Sequence, residues 1–199
     1  MSRPTQYQRD TALEAAMQVF WQKGYHATSL KDLEAALEMK PGSIYAAFSN
    51  KENLYLLSLD RYFDRSLTRF QALMDDAPSA LAGLADHLRG FAKMPPQDHA
   101  RQVCMLTKTL VDTTNTDPEI AARTKAYLER IREAFTAAFE RAKAEGELPP
   151  DADCARLARR FQASISAIRF ELHLGTDPED ITALAEDFAR EIEALRQDT

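Results

Sequence analysis

Residues 24–54, GYHATSLKDLEAALEMKPGSIYAAFSNKENL, constrain the chain more than any other stretch. Thr28 and Ser29 are good helix N-caps, and Asp32 stands three after Ser29 at capping-box spacing. Leu30, Leu33 and Leu37 recur at helical spacing, so a short helix is expected there, stopped by a tight turn at about Glu38–Lys40. Pro41 fits the first turn of a second short helix, where its missing N–H costs nothing, and that helix runs to about Ala47. Ser49 and Glu52 form another capping-box pair and open a longer helix through Leu54, Leu57, Leu59, Phe63 and Phe70. Leu33, Leu37, Met39, Ile44 and Phe48 can lock the two short helices together. The outer face of the second is left with Lys40, Ser43 and Tyr45.

Nearly every other periodic segment also has helical spacing, and no strand alternation is found, so an all-α fold of about nine helices is expected. The first helix covers about residues 6–23, with Ala12, Ala15, Ala16, Val19 and Phe20 on one stripe and Gly24 as its stop. After Pro78 a fifth carries Leu81, Leu84, Leu88 and Phe91, and Pro95-Pro96 breaks it. A sixth is expected over about 98–112, with Val103, Cys104, Leu106, Leu110 and Val111 inward. Asp117-Pro118-Glu119 opens a long seventh that ends near Gly146. The eighth covers about 152–174 and the ninth follows Asp177, with Ile181, Leu184, Phe188, Ile192 and Leu195 as its stripe. Beside the apolar stripe of the eighth lie the small residues Ala163, Ser164 and Ala167. Two packing faces on one helix point to burial on both sides, so the last two helices are the expected homodimer interface; a central core helix is the alternative.

Charge limits what the N-terminal helices can hold. The net charge is −6, and residues 1–60 carry six basic against seven acidic groups. DNA affinity comes largely from cations on phosphate. Binding there would need a few well-placed cations, presented twice by a dimer. No apolar run long enough to span a membrane is found and the N-terminus has no apolar leader, so a cytoplasmic protein without membrane contact is expected. Cys104 and Cys154 share no short metal-ligand spacing, and the four histidines are scattered. No phosphate-binding glycine loop and no nucleophile motif is found, so no catalytic residue, cofactor or metal is expected.

A pair of locked helices with a polar outer face has the makings of a helix-turn-helix, whose second helix enters the major groove. Free amides at the starts of the second and fourth helices favour phosphate, which singles out Thr28, Ser29 and Lys51, with Tyr45 and Lys51 as a phosphate clamp. Tyr25 and Phe48 are expected in the core, Lys23 and Lys31 as solvated charges, and Arg3 as a possible arm toward DNA. This block resembles the DNA-binding domain of the tetracycline-repressor (TetR) family at Gly24-Tyr25, Ala27-Thr28-Ser29, Leu33, Ala36, Gly42-Ser43-Ile44-Tyr45, Phe48, Lys51 and Leu54. The resemblance implies phosphate contacts at Thr28, Tyr45 and Lys51 and base-region contacts at Lys40, Pro41, Gly42 and Ser43. It also implies a homodimer that represses from a near-palindromic double-stranded operator until a small molecule enters the C-terminal domain. The chain departs from the family's commonest pattern at Glu38, where glycine is usual; a left-handed residue there costs about 1 kcal/mol.

The division expected is a DNA-binding domain over residues 6–60, with the helix-turn-helix at about 28–48, and a ligand-sensing and dimerisation domain over 61–199. Phe63, Phe70, Leu84, His87, Leu88, Phe91, Cys104, Met105, Phe135, Phe161 and Phe170 either line an effector cavity or fill a core, with His87 and Arg169 as polar groups to orient a ligand. Arg101-Gln102-Val103-Cys104-Met105-Leu106 resembles, with Val103 for a glycine, a segment of one TetR subgroup. A second reading therefore makes Cys104 an electrophile sensor, its pKa lowered by Arg101 and Lys108; the alternative is a small buried hydrophobe. Cys154, near a helix start, is the lesser candidate thiol. A helical sensor without operator binding is the third reading, favoured by the acidic balance and Glu38.

Overall fold

The computed structural model describes residues 6–95 and 103–197, and among these every regular element is a helix. There are nine: α1 (Gln6–Lys23), α2 (Leu30–Leu37), α3 (Pro41–Phe48), α4 (Lys51–Asp76), α5 (Ala80–Ala92), α6 (Met105–Thr113), α7 (Pro118–Ala144), α8 (Cys154–Leu174) and α9 (Pro178–Glu193). The chain forms two compact units, Met1–Arg65 with Met105–Tyr127, and Ser66–Cys104 with Leu128–Thr199. Among the described residues no helix is long and apolar enough to cross a membrane.

The first unit closes over Leu13, Ala16, Met17 and Phe20 of α1, Leu33 and Leu37 of α2, Ile44 and Phe48 of α3, and Leu54, Tyr55 and Leu59 of α4, all buried. Helix α6 joins them through Met105, Leu106, Thr109 and Thr113. The threonines enter this core because their hydroxyls donate back to the carbonyls of Met105 and Thr109 at 2.7 and 2.8 Å, which leaves the methyls to pack. Thr109 also meets the Tyr55 hydroxyl at 2.7 Å. Of the helix expected over 98–112, residues 98–102 lie outside the described residues, and the rest is corrected: α6 starts at Met105, Val103 and Cys104 lie outside it, and Val111, expected inward, is 78% exposed. A purely apolar template could not see a buried face built half of threonine.

The second unit packs α5, α8 and α9 around Leu81, Leu84, Leu88, Phe161, Ile168 and Ile181, with Phe70 and Met74 of α4 and Phe135 and Phe139 of α7. The start of α5 is held from outside its own sequence. The Glu147 carboxylate, 6% exposed, accepts from Ala80 N at 2.8 Å, Leu81 N at 3.3 Å and Ser79 Oγ at 2.8 Å, and pairs with Arg196 at 2.6 Å. Arg89 of α5 reaches Glu186 and Glu193 of α9 at 2.7 Å each. The stripe of α9 is shifted from its expected line: Ile181, Ala185 and Ala189 are buried, while Leu184, Phe188, Ile192 and Leu195 are half-buried. Small side chains let α9 lie close to α5, and the bulky Leu184, Phe188, Ile192 and Leu195 pack against the margin of the core.

Candidate nucleic-acid interface

Helix α2 begins as its sequence dictates. Ser29 Oγ accepts from Asp32 N at 3.2 Å, and Asp32 Oδ2 accepts from Ser29 N at 2.8 Å and Ser29 Oγ at 2.7 Å. Lys23, expected as a solvated charge, instead pairs with Asp32 Oδ1 at 2.6 Å. With these donors around it, the Asp32 carboxyl is held far below the usual carboxylate range, Lys23 contributing most. The anion site at the start of α2 is thus already filled by the chain's own carboxylate. Thr28 is 1% exposed and donates its hydroxyl to Gly24 O at 2.7 Å. Thr28 and Ser29, expected as phosphate contacts, therefore have their hydroxyl donors committed within the chain, and what they secure is the entry to α2.

The turn after α2 needs a left-handed residue, and Glu38 supplies it at φ 53°, ψ 35°, its N–H donating to Glu34 O. Lys40 then caps α3 through its backbone, with Pro41 in the first turn. Ile44 and Phe48 turn inward at 1% exposure each. Lys40 and Gly42 are exposed, Pro41 and Ser43 half-buried, and Tyr45 is 44% exposed. Among the described residues the side chains of Lys40, Ser43 and Tyr45 accept and donate no hydrogen bond, so all three are available to a partner.

The start of α4 differs from expectation. Asn50, not Ser49, is the cap: its Oδ1 accepts from Asn53 N at 2.7 Å, and Asn53 Nδ2 donates to Phe48 O at 2.9 Å. Ser49 is at φ 69° and cannot present the capping geometry expected of it. The Lys51 ammonium lies over the Tyr25 ring, 4.5 Å from its centroid. Burial there pushes the Lys51 pKa down, with Asp117 opposing. Tyr25 is half-buried against Tyr55 and His26, and burial, Asp117 and Glu52 push its hydroxyl up. The structure thus rests the Lys51 ammonium on the Tyr25 ring.

Two groups beside this face were not foreseen. Arg9 of α1 donates from Nε to Ala47 O at 3.5 Å and lies 5.1 Å over the Phe48 ring, bracing the end of α3. His26 meets Thr116 Oγ1 at 2.9 Å and Asp117 Oδ2 at 3.0 Å. Partners 38 and 90 residues apart leave no local signal in the sequence. Arg3 lies outside the described residues.

The geometry, a helix pair with an outward polar face, is matched by known proteins. Residues 12–57 match the family described as bacterial regulatory proteins, tetR family, and residues 77–188 the tetracyclin repressor-like C-terminal domain. The HTH-type transcriptional repressor ComR of Escherichia coli K12 is 33% identical over 187 residues, 92% of this chain and 88% of that protein. The chain belongs to the TetR family. It is a DNA-binding transcriptional regulator and not an enzyme. A cysteine mutant of the TetR family regulator CifR, solved with 26-bp double-strand operator DNA, is 30% identical, with a TM-score of 0.81 and coverage of 95% of this chain and 98% of that one. A TetR family regulator from Cytophaga hutchinsonii shares the fold at a TM-score of 0.86 and 19% identity, covering 97% and 96% of the two chains.

The TetR-type C-terminal half does not gather all the residues expected at its ligand site. Phe70, Leu84, Leu88, Phe91, Phe135 and Phe161 are buried in the second unit, around the His87 ring, which touches Phe70 and Phe91 at 5.1 and 5.2 Å. Burial, then the charges of Arg169 and Arg69, push the His87 pKa down to about 4. Arg169 lies over the Phe91 ring at 4.7 Å. Phe63 and Met105 belong to the first unit. Phe170 is corrected: it is 60% exposed on α8 and lines no interior. The thiol expectation is corrected as well. Cys104 is half-buried and precedes α6, so it shares no helical face with Lys108, whose ammonium donates to Gln22 O at 2.7 Å and Trp21 O at 3.3 Å. Arg101 lies outside the described residues. Cys154 is 2% exposed, and burial with Glu140 beside it pushes its thiol up, away from reactivity.

Proposed function

We propose that the chain is a homodimeric repressor that holds a near-palindromic operator with two copies of α3 and releases it when a small molecule occupies the C-terminal half. DNA binding is assigned to residues 6–60, with the helix-turn-helix at about 28–48, and sensing and dimerisation to 61–199. Lys40, Pro41, Gly42 and Ser43 face base edges, Tyr45 and Lys51 take phosphate, and Thr28 and Ser29 fix the loop that carries α2. The observation that carries this reading is the outward face of α3, where a cation and two hydroxyls stand without a hydrogen-bond partner among the described residues. Repression is supported by the relative named a transcriptional repressor, and operator binding by the neighbour solved on operator DNA. A DNA-binding regulator works where the DNA is, so the cytoplasm is its place.

The dimer reading rests on α8 and α9. Arg160, Ala163, Ala167, Phe170 and Leu174 fall on one side of α8 by helical spacing, with Phe170 and Leu174 exposed at 60% and 61%. Beside them Leu157, Arg160, Phe161, Ser164, Phe188, Glu191, Ile192 and Leu195 line a shallow groove. An apolar surface next to small residues suits the close approach of a second helix pair. The effector is assigned to the aromatic cluster around His87. Selection of operator fragments from random DNA, followed by gel shifts, tests the contact assignment. Tyr45→Phe and Lys51→Ala each weaken binding about tenfold, and Lys51→Ala lowers the salt slope by about one for each subunit. Unchanged binding in both variants refutes the contacts.

A further inference from the structure

A run of side chains starts at the N-terminus of α7 and ends on the lysine assigned to operator phosphate. Asp117 opens α7, its carbonyl accepting from Ala121 N at 2.9 Å. Its Oδ2 is 3.0 Å from His26 Nε2, but that nitrogen also faces Thr116 Oγ1 at 2.9 Å. Asp117 Oδ2 is buried and has no aligned hydrogen-bond donor. The His26 ring meets Tyr25 edge-on at 5.2 Å, and Tyr25 carries the Lys51 ammonium at 4.5 Å from its centroid. The charge of Asp117 reaches along this run, since it pushes the Tyr25 hydroxyl up and opposes the burial that pushes Lys51 down. A buried carboxylate oxygen without a donor is costly, and a nearby cation relieves it. Lys51 is a cation on a flexible four-carbon stem.

We propose that Asp117 is a positioning residue for DNA binding, which competes with operator phosphate for the Lys51 ammonium and so sets how firmly the operator is held. The inference rests on the reading of Lys51 as a phosphate contact. Its physical setting is the packing of the first unit. Met105–Tyr127 belongs to the same compact body as α1, α2 and α3, although it lies far along the chain. Besides His26, the corner between α6 and α7 meets the loop after α1 at Gly24. A Cβ added there would stand 2.7 Å from Asp112 Oδ2. Any displacement of the start of α7 relative to Lys51 then changes operator affinity with no change in α3.

The test uses the full chain and the operator fragment recovered by selection. Asp117→Asn keeps the residue's shape and its preference for a helix start, and removes the charge. Affinity at low salt rises about fivefold, as expected for one charge removed near a surface cation. The gain shrinks as added salt screens the pair. In a Lys51→Ala chain, Asp117→Asn gives no gain, a coupling that a merely structural role would not produce. Melting temperatures report folding, and Asp117→Ser, an uncharged cap, takes the place of Asn should that variant fail to fold. A folded Asp117→Asn chain that binds no tighter than the wild type overturns the inference, and so does a gain that survives Lys51→Ala. A wild-type chain that retains no fragment overturns the DNA-contact reading and the inference with it, so the two failures are told apart.

Discussion

Helices α3 and α8 each leave an aromatic residue in solvent, Tyr45 at 44% and Phe170 at 60%. Their surroundings differ. Tyr45 stands with exposed Lys40 and Gly42 and half-buried Ser43, on a helix whose apolar residues Ile44 and Phe48 are already buried. Phe170 stands with Leu174, Ala163 and Ala167, beside a groove walled by Phe188 and Ile192. A hydroxyl-bearing ring beside a cation and open backbone suits phosphate and base edges. A hydrocarbon ring among methyl groups suits another helix. Exposure alone names no partner, and the chemistry of the neighbours separates a DNA face from a protein face.

The largest effect that separates the two faces is expected at Phe170. Phe170→Glu sits in solvent in the single chain, so the helical circular dichroism is kept, while a charge in the proposed dimer interface yields a monomer by light scattering. Without a tethered second half-site, operator affinity falls about a thousandfold. A dimer that survives this change breaks the assignment of the α8 face. Next comes Glu147→Ala, which takes the acceptor from Ala80 N and Leu81 N at the buried start of α5 and the ion pair from Arg196. About 3 kcal/mol of unfolding free energy is expected to go in urea titration, while the fraction that remains folded binds operator as before.

His87 gives a pH signature confined to the second unit. Its imidazole takes a proton only near pH 4 when folded, against 6.5 for an ordinary histidine, with burial the main cause and Arg169 and Arg69 adding to it. Between these values the unfolded chain binds a proton that the folded chain refuses, so stability falls as pH drops from 6.5 to 4, by about 3 kcal/mol. His87→Phe flattens that part of the pH profile of thermal unfolding. The smallest effect is at the turn before α3. Glu38→Gly relieves a left-handed non-glycine residue and stabilises by about 1 kcal/mol, with a slight gain in operator affinity from the lost negative charge.

The local chemistry of the DNA face was legible in the sequence. The Ser29 capping box, the left-handed turn at Glu38, Pro41 at the start of α3 and the bounds of α1 each depend on residues within a few positions of one another. What the sequence hid depends on distant partners or on close competition between neighbours. Ser49 and Asn50 are both good caps, and the backbone of Ser49, at φ 69°, leaves the role to Asn50. Thr28 looked free for phosphate because its acceptor, the Gly24 carbonyl, is backbone and leaves no mark in side-chain pattern. On α9 both Ala185 and Leu184 are apolar, and only the closeness of α5 decides that the smaller one is fully buried while Leu184 packs at the core's margin. Asp117 and Tyr127 read as parts of a sensor half, yet Asp117 meets His26, and Tyr127 with Arg123 meets Asp60, inside the unit that carries α3.

The central claim is that the outward face of α3 reads the operator and does so twice. Selection from random DNA with the wild-type chain and with a Lys40→Ala, Ser43→Ala variant tests it most directly. The account predicts two inverted half-sites, spaced by about one duplex turn of roughly 34 Å, and a variant that loses preference at the same positions in both. A recovered site without two-fold symmetry, or one whose preferences are the same for both chains, would contradict it.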